Sequence, residues 1–551
     1  MTPLSAHPLF NVRVEHLTLD ERVAISYKRA KLMLDAYALT ASDVLHCSQK
    51  FWELQNDPIL ASDVACYTIL AAHVGLTIGT VAKYAQDRKD LQPLVERLLR
   101  FQIVGVFLLS ERGHGLDAFN IETTATLNEH GFLLNTPREE AAKWMPATTP
   151  SFGICKVAVV MARLIVSGGD RGVRPFLVPI CDTEQMCSGV TSIRLPPRTG
   201  TSPLDFAITT FHNLQLPYTA LLSTTLEAPA DPLQAWWNEV WRIPIGTAAV
   251  AGPLIQAVKH AAYIGGQYSL HRVVWGKGPA PVPIITFRTQ QWPVLQAVAC
   301  ALVLDNWFPH IVTEVMDTSL DPRIRHGLAV ILKTVAGRLS QLCIREITER
   351  CGAQGTFEHN SMARLEADGR GVIIAEGDVL PLCIRLFTEL LLNRYTIPTP
   401  TQTKSILWQR AVSNLEACRR VLHQIPGGHR SEEYNKLLPL AEPSIAALGH
   451  ALAYSAAIDS HLPEPITSMF ECVVSRLGRA PSIKQCVQED AAISRALPLL
   501  EEYLSQLNVR QYITAPILTD QRWKGYLKSL STSHGNAEGD KIVWENTKAR
   551  L

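Results

Sequence analysis

Apolar residues recur at every third or fourth position from residue 19 to residue 99. Val23, Tyr27, Ala30 and Leu34 illustrate this spacing, which predicts amphipathic helices. At residue 102 the pattern changes to apolar runs that are rich in β-branched residues and separated by glycine and proline. Such runs predict strands, at residues 103–109, 131–135, 155–166 and 176–180.

Helical spacing returns beyond residue 233 and continues through most of the remaining chain. The predicted helical stretches are residues 254–263, 291–305, 324–350 and 379–391, then a block at 403–507 that a loop at 425–431 interrupts. Helices and strands therefore fall in separate runs, which favours separate lobes over an alternating parallel sheet.

We predict an α+β multidomain fold, consisting of an N-terminal helical domain (1–102), a middle antiparallel β domain (103–225), a helical bundle that carries the site (226–400), a further helical block (401–530) and a flexible tail (531–551).

The composition describes an ordinary folded protein. Of the 551 residues, 47% are hydrophobic and 19% charged, and 52 basic residues nearly balance 51 acidic ones. Because the charges balance, the protein has no overall positive electrostatic field that would attract nucleic acid. The 12 cysteines include no C-x-x-C pair, so we predict neither a metal site nor a disulfide framework. Residues 243–258 form the longest uncharged apolar stretch, which is too short and too broken to span a bilayer.

One candidate ligand-binding segment is the tripeptide Gly113-His114-Gly115, which follows a predicted buried strand. Glycine leaves no Cβ in the way, so backbone N–H groups in such a turn can approach a flat or anionic ligand. An ordinary tight turn between strands is the alternative. The segment is not the dinucleotide-binding fingerprint, because G-x-G-x-x-G is absent.

A candidate general base is Glu376, which follows the apolar residues 372–375 and precedes a predicted helix. Burial by these neighbours would raise the pKa of its carboxyl group into a useful range for proton transfer. The alternative is an acid that favours the helix dipole. Two further candidates are Arg272, whose charge suits a pyrophosphate, and Gln290, whose amide suits a cofactor; solvated surface residues are the alternative for both.

In order along the chain, these segments resemble the acyl-CoA oxidase branch of the acyl-CoA dehydrogenase superfamily. The family patterns T-E-x-G-H-G, E-T-T-A-T, N-T-P, A-K-W-x-P, C-G-G-x-G and F-E-G-D-N have counterparts at residues 110–115, 122–126, 135–137, 142–146, 351–355 and 375–379. Tyr268, Arg272 and the run at 287–291 also match. The resemblance covers roughly residues 100 to 395.

The resemblance implies FAD bound between the β domain and the helical domain. The residues that match the family's cofactor site are Ser110, Gly113, Gly115, Lys143, Trp144, Ala147, Arg272, Gln290, Gly352 and Gly355. It also implies a homodimer or higher oligomer, in which the loop 351–355 of one subunit meets the diphosphate end of the flavin in another.

The resemblance further implies that Glu376 takes the α-proton of an acyl-CoA thioester while the β-hydrogen leaves as hydride to the flavin. The product would be a trans-2-enoyl-CoA, and molecular oxygen would take the electrons to give hydrogen peroxide. Two alternatives stay open: a dehydrogenase that uses an electron-transfer flavoprotein, and a non-catalytic acyl-CoA-binding relative.

Several departures from the family pattern bear on the substrate. Ser110 replaces the usual threonine and Ala147 a glycine, while Ala375 replaces an aromatic residue and Val379 an asparagine on either side of the candidate base. These last two changes put the usual fatty acyl substrate in question. The ending Ala549-Arg550-Leu551 matches peroxisomal import signals and predicts a peroxisomal enzyme of fatty acid β-oxidation.

Overall fold

The N-terminal segment is helical, as its apolar spacing predicted. A computed structural model describes residues 4–478 and 480–536, so the Ala549-Arg550-Leu551 ending lies outside the described residues. The helices are α1 (Leu19–Tyr37), α2 (Ala41–Leu45), α3 (Gln49–Gln55), α4 (Val64–Leu70), α5 (Gly79–Tyr84) and α6 (Gln92–Leu99). Residues Ala71–Ile78 join α4 to α5 as a π-helical stretch, a local widening that is often found at functional sites.

The middle domain contains nine strands. They are β1 (Val104–Leu108), β2 (Thr124–Asn128), β3 (Gly131–Asn135), β4 (Lys143–Trp144), β5 (Lys156–Val166), β6 (Gly169–Cys181), β7 (Val190–Arg194), β8 (Ala207–Phe211) and β9 (Leu214–Leu216). One sheet has the order β1-β5-β2-β3-β9 with β6 paired to β5, and a second sheet has the order β4-β8-β7. All four predicted strands are present, whereas β2, β4 and β7 to β9 were missed because they are short and rich in polar residues.

The prediction that this domain is purely antiparallel was wrong. Both β1 and β2 run parallel to β5, although β5 pairs antiparallel with β6. The strand β5 is almost entirely buried, and a continuous apolar run of this kind specifies burial on both faces without specifying the direction of its neighbours.

The remaining described chain is mainly helical. The helices are α7 (Pro232–Glu239), α8 (Arg242–Ala249), α9 (Ala251–His271), α10 (Arg288–Met316), α11 (Pro322–Arg350), α12 (Met362–Ile374), α13 (Val379–Leu391), α14 (Ile406–Gln424), α15 (Ala441–Asp459), α16 (Glu464–Arg476), α17 (Ile483–Ala496), α18 (Leu500–Gln506) and α19 (Asp520–Leu527). A short hairpin, β10 (Val273–Trp275) and β11 (Pro281–Pro283), follows α9. The core of the bundle lies where α9, α10 and α11 pack together.

Three helical segments are long and apolar enough to cross a membrane, judged by length and composition alone. They are Val64–Tyr84, Arg288–Met316 and Pro322–Arg350. Between 78% and 83% of the most apolar part of each is buried inside the fold, so their apolar side chains form the core of the protein.

The loop between β7 and β8 joins the β domain to the helical bundle. The backbone N–H and the hydroxyl of Ser202 both donate to the buried Asp368 carboxylate of α12, each at 2.7 Å. Arg198 from the same loop lies so close to Gly371 that a Cβ there would be 2.3 Å from its guanidinium. These contacts fix α12, whose C-terminal end leads directly to Glu376.

Candidate active site

Glu376 lies in the short turn between α12 and α13, in a backbone conformation that non-glycine residues rarely adopt. Its φ is 56° and that of Gly377 is 88°. The left-handed conformation costs a non-glycine residue about 1–2 kcal/mol, so the surrounding structure must hold it. The side chain of Lys333, buried in α11, donates to the carbonyl oxygens of Ala375 and Gly377. The Thr247 hydroxyl donates to the carbonyl oxygen of Glu376 at 3.2 Å.

The carboxyl group of Glu376 packs directly against α8. A Cβ added to Gly246 would lie 2.8 Å from Glu376 Cδ, so this glycine leaves the space that the carboxyl group occupies. Burial raises the pKa of Glu376 to about 7, although the positive charges of Lys333 and Arg242 act in the opposite direction. A carboxylate with this pKa is suited to general-base catalysis near neutral pH.

A narrow pocket of about 10 Å³ lies beside this carboxyl group. Its walls come from α3, α4, the π-helical stretch, α8 and the Glu376 turn: Phe51, Gln55, Tyr67, Ala71, Gly75, Leu76, Ile245, Gly246, Ala249 and Glu376. Two polar atoms of this lining, Tyr67 Oη and Gln55 Nε2, are buried without a hydrogen-bond partner. Burial, together with the charge of Glu376, raises the pKa of the Tyr67 hydroxyl well above its ordinary value.

Replacing Gly246 with alanine tests whether the carboxyl group must lie against α8. The added methyl group would overlap the carboxyl group of Glu376, so the side chain must move away from its pocket. We expect roughly 10²-fold slower turnover, the effect that a displacement of about 1 Å can produce. Gly369→Ala is the matched control, because a Cβ there would meet Leu254 at an ordinary 3.6 Å and Gly369 does not line the pocket. Equal rates in both variants would contradict this placement.

The β-domain part of the predicted cofactor site is stabilised by a buried ion pair. Glu111 accepts hydrogen bonds from the backbone N–H groups of Glu122 (2.7 Å) and Thr123 (2.9 Å) and pairs with Lys143 at 3.0 Å. Lys143 Nζ also donates to the carbonyl oxygens of Leu109 and Met161. All three donors of the Lys143 ammonium are therefore used inside the β domain, so only the backbone and the aliphatic part of Lys143 could contact a cofactor.

The β domain carries five other residues that were predicted to belong to the cofactor site. The backbone N–H of Trp144 donates to the Ser110 carbonyl oxygen at 3.0 Å, so β4 places Trp144 beside the half-buried Ser110. Gly113 packs against Glu140, whereas Gly115 has open space above it. Ala147 is half-buried, and its carbonyl oxygen accepts from Lys156.

The predicted residues of the helical bundle form a second cluster. Gln290 Nε2 donates to Ser269 Oγ at 2.8 Å and to the Arg350 carbonyl oxygen at 3.3 Å, so the amide nitrogen ties α9, α10 and α11 together. Gly355 is buried, and a Cβ there would lie 2.3 Å from a backbone oxygen of α11. Arg272 and Gly352, by contrast, are exposed.

Sequence reasoning missed the residues that shape the pocket around Glu376. Gln55, Tyr67, Gly246 and Lys333 come from four different helices, and none belongs to a recognisable motif. An unpaired charge within a strongly apolar helical face was the one available signal for Lys333. The remaining three have no such signal, because their roles depend on packing between distant segments.

No protein-family model matches the chain. Its sequence is similar to acyl-coenzyme A oxidase acox-1.1 of Caenorhabditis elegans, with 23% identity over 414 residues that cover 71% of this chain and 58% of the relative. It is also similar to peroxisomal acyl-coenzyme A oxidase 3 of Homo sapiens, with 25% identity over 394 residues, 66% of this chain and 55% of the relative. The matched region thus spans little more than half the length of these relatives.

Solved structures of other proteins are similar to this one over nearly the whole length of the chain. Acyl-CoA oxidase 3 of Yarrowia lipolytica has a TM-score of 0.79 at 16% identity, covering 95% of this chain and 87% of that one. Acyl-CoA oxidase-2 of C. elegans, solved with FAD, ascaroside-CoA and ATP, has a TM-score of 0.77 at 17% identity, covering 96% and 89%. The fold is that of the acyl-CoA oxidases. The sequence matches agree with this fold, so the chain is similar to acyl-CoA oxidases in both sequence and structure.

Proposed function

We propose that this protein is an FAD-dependent acyl-CoA oxidase that converts an acyl-CoA thioester to its trans-2-enoyl-CoA. The observation that carries the proposal is Glu376, a desolvated carboxyl group with a pKa of about 7 on a turn held by Lys333 and Thr247. The names of the sequence relatives favour an oxidase over a dehydrogenase.

Glu376 would remove the α-proton of the thioester. This proton is too weakly acidic for a carboxylate unless the developing negative charge on the thioester oxygen is stabilised. The backbone N–H of Glu376 donates to no carbonyl oxygen within the described residues, so it is free to supply such a hydrogen bond. Because the carboxyl group is desolvated, little solvent has to be displaced before proton transfer.

The residues present fit a bound flavin. Gly115 and Gly352 each leave space in which a Cβ would meet no atom within 4 Å, and exposed Trp144 and Arg272 offer an aromatic surface and a cation. When bound, FAD would accept the β-hydrogen as hydride, and oxygen would then regenerate it with release of hydrogen peroxide. Ser110 and Ala147 would border the flavin on the β-domain side, and Arg272 would neutralise its diphosphate.

We also propose a homodimer. The segments that carry Arg272 and Gly352 also carry exposed apolar side chains, among them Trp275, which is 75% exposed, Phe287 and Phe357. Exposed aromatic side chains that lie close together are typical of protein contact surfaces, and this supports the proposal if the three share one face. A partner subunit covering them would bring Arg272 and Gly352 to a flavin held mainly by the other subunit.

A peroxide assay over a panel of straight, branched and polar acyl-CoA thioesters tests the proposed reaction. Because the base must be ionised and the pKa of Glu376 is about 7, we expect kcat/KM to rise with pH and level off above pH 7. Running the same panel with an artificial electron acceptor under nitrogen distinguishes a dehydrogenase. A purified protein without flavin absorbance would contradict the proposal.

The human relative is named peroxisomal, and so is a mouse relative that is 28% identical over 305 residues. We therefore propose a peroxisomal location, where hydrogen peroxide can be degraded. Imaging of the full-length protein beside a peroxisomal marker tests this, and an even cytoplasmic distribution would contradict it.

A further inference from the structure

We infer that a single water molecule bridges Tyr67 and Gln55 to the carboxylate of Glu376, which makes Tyr67 and Gln55 positioning residues for the base. The inference rests on the proposed function and deepens it, because it names further residues that act on the deprotonation step. It is carried by a cavity of the size of one water, which is lined by Glu376 and by two buried polar atoms without a hydrogen-bond partner.

The cavity beside Glu376 has room for one water molecule. Its volume is about 10 Å³, and an internal water needs roughly 10–15 Å³ together with two to four polar partners. Phe51, Leu76 and Ile245 contribute apolar surface to the lining, so a second water would find neither space nor a partner there. The cavity thus suits one water and is too small for a carbon chain.

Two hydrogen-bond donors of this lining are unpartnered. Tyr67 Oη and Gln55 Nε2 belong to residues that are 3% and 1% exposed, so bulk water does not reach them. Most buried polar groups in folded proteins are paired, either with protein atoms or with ordered water. One water molecule can accept a hydrogen bond from each of these two donors.

The third polar group of the lining is the carboxylate of Glu376. Among the described residues, the side chain that bonds to Glu376 is Thr247, and its hydroxyl donates to the carbonyl oxygen, not to the carboxylate. Burial and, after it, the charge of Glu376 raise the pKa of the Tyr67 hydroxyl, which indicates that the two groups lie close together. A water that accepts from Tyr67 and Gln55 keeps both of its hydrogen atoms, and it can donate one of them to this carboxylate.

A hydrogen bond from this water acts on the base in two ways. It fixes the orientation of the carboxylate in an otherwise apolar pocket, and it stabilises the charged form, which lowers the pKa of Glu376. Burial raises this pKa, whereas the charges of Lys333 from α11 and Arg242 from α8 lower it. Because the water acts in the same direction as these two charges, loss of the bridge should raise the pH at which half of the carboxyl groups are ionised.

Tyr67→Phe removes one donor to the water and keeps the aromatic ring. We expect the midpoint of the pH profile of kcat/KM to rise by about half a unit to one unit, the range expected for one lost hydrogen bond. The rate should fall roughly two- to fivefold at pH 7 and recover to within about twofold at pH 9, where the base is ionised in both proteins. Tyr503→Phe is the matched control, because the Tyr503 hydroxyl is also buried without a partner but lies outside the pocket lining. Its midpoint should equal that of the parent protein.

Gln55→Leu, alone and combined with Tyr67→Phe, tests whether the two residues share one water. Each single variant should raise the midpoint. Because either change releases the same water, the double variant should raise the midpoint by less than the sum of the two single shifts. Additive shifts would overturn the inference, as would an unchanged midpoint in both single variants.

Infrared spectroscopy of the holoenzyme separates this inference from the proposed activity. The carbonyl stretch of the protonated Glu376 carboxyl group, identified as the band that Glu376→Gln lacks, titrates with pH in the absence of substrate. A higher midpoint in Tyr67→Phe than in the parent protein would support the bridge even if no thioester is oxidised, and the proposed oxidase activity alone would then fail. A crystal structure of the holoenzyme in which Tyr67 bonds directly to the carboxylate, with no water between them, would overturn the inference whatever the activity.

Discussion

Glu376→Gln is expected to lower turnover by about 10³- to 10⁴-fold, the usual contribution of a positioned general base. Glutamine has nearly the same size and fills the space over Gly246, but it cannot accept the α-proton. The buried carboxyl group is protonated at pH values below its pKa of about 7, so the neutral amide also introduces no new charge imbalance there. Folding and flavin binding should therefore be retained.

The measurement is peroxide formation at saturating substrate, with flavin absorbance and thermal unfolding recorded on the same sample. Asp378→Asn is the control, since Asp378 belongs to the same turn but does not line the pocket. It should retain rates within a fewfold of the parent protein. Near-normal turnover by Glu376→Gln would remove this residue as the base.

The sequence was most informative where a local pattern controls the structure. The apolar spacing of residues 379–391 predicted α13 with the bounds that the structure gives, Val379–Leu391. The apolar residues before Glu376 led to the prediction of a raised pKa, and its value of about 7 agrees. The cause of the raised pKa differs from the predicted one, however. Residues 372–374 end a helix, with Ile374 itself 65% exposed, and the desolvation comes from α8 packing over the carboxyl group.

The sequence was least informative where function depends on segments that are far apart. Tyr67, Gly246 and Glu376 line one pocket although they are separated by more than a hundred residues, and no local spacing reveals that. The role of the Lys143 ammonium also depends on segments that are far apart in the sequence. A lysine within a family motif suggests a ligand contact, but its charge here balances Glu111 inside a sheet.

Two groups of residues around Glu376 occupy different positions in the structure. Ala375 and Val379, the departures that the sequence flagged, flank the turn, and Val379 is buried at the start of α13. The pocket itself is formed by α3, α4, the π-helical stretch and α8. Changes at residues 375 and 379 should therefore act by shifting the turn, whereas changes at Gln55 and Tyr67 should act on the pocket beside the carboxyl group.

Lys333→Met is expected to impair both the geometry and the ionisation of the base. Loss of the ammonium leaves the carbonyl oxygens of Ala375 and Gly377 without their buried donor, at a cost of ~3 kcal/mol in unfolding free energy. It also removes a charge that lowers the pKa of Glu376. The pH at which the rate reaches half its maximum should therefore move upward by about one pH unit, and turnover at pH 7 should fall roughly 10- to 100-fold.

A merely structural lysine would not move the pH profile, so that profile is the deciding measurement. Lys259→Met is the matched control, because Lys259 is buried in the same bundle and pairs with Asp305 at 2.7 Å, away from the pocket. It should lower the unfolding free energy and leave the pH midpoint unchanged. Should Lys333→Met keep the midpoint near pH 7 while losing stability, Lys333 would support the fold alone, and the turn at Glu376 would owe its conformation to Thr247 and the packing of α8.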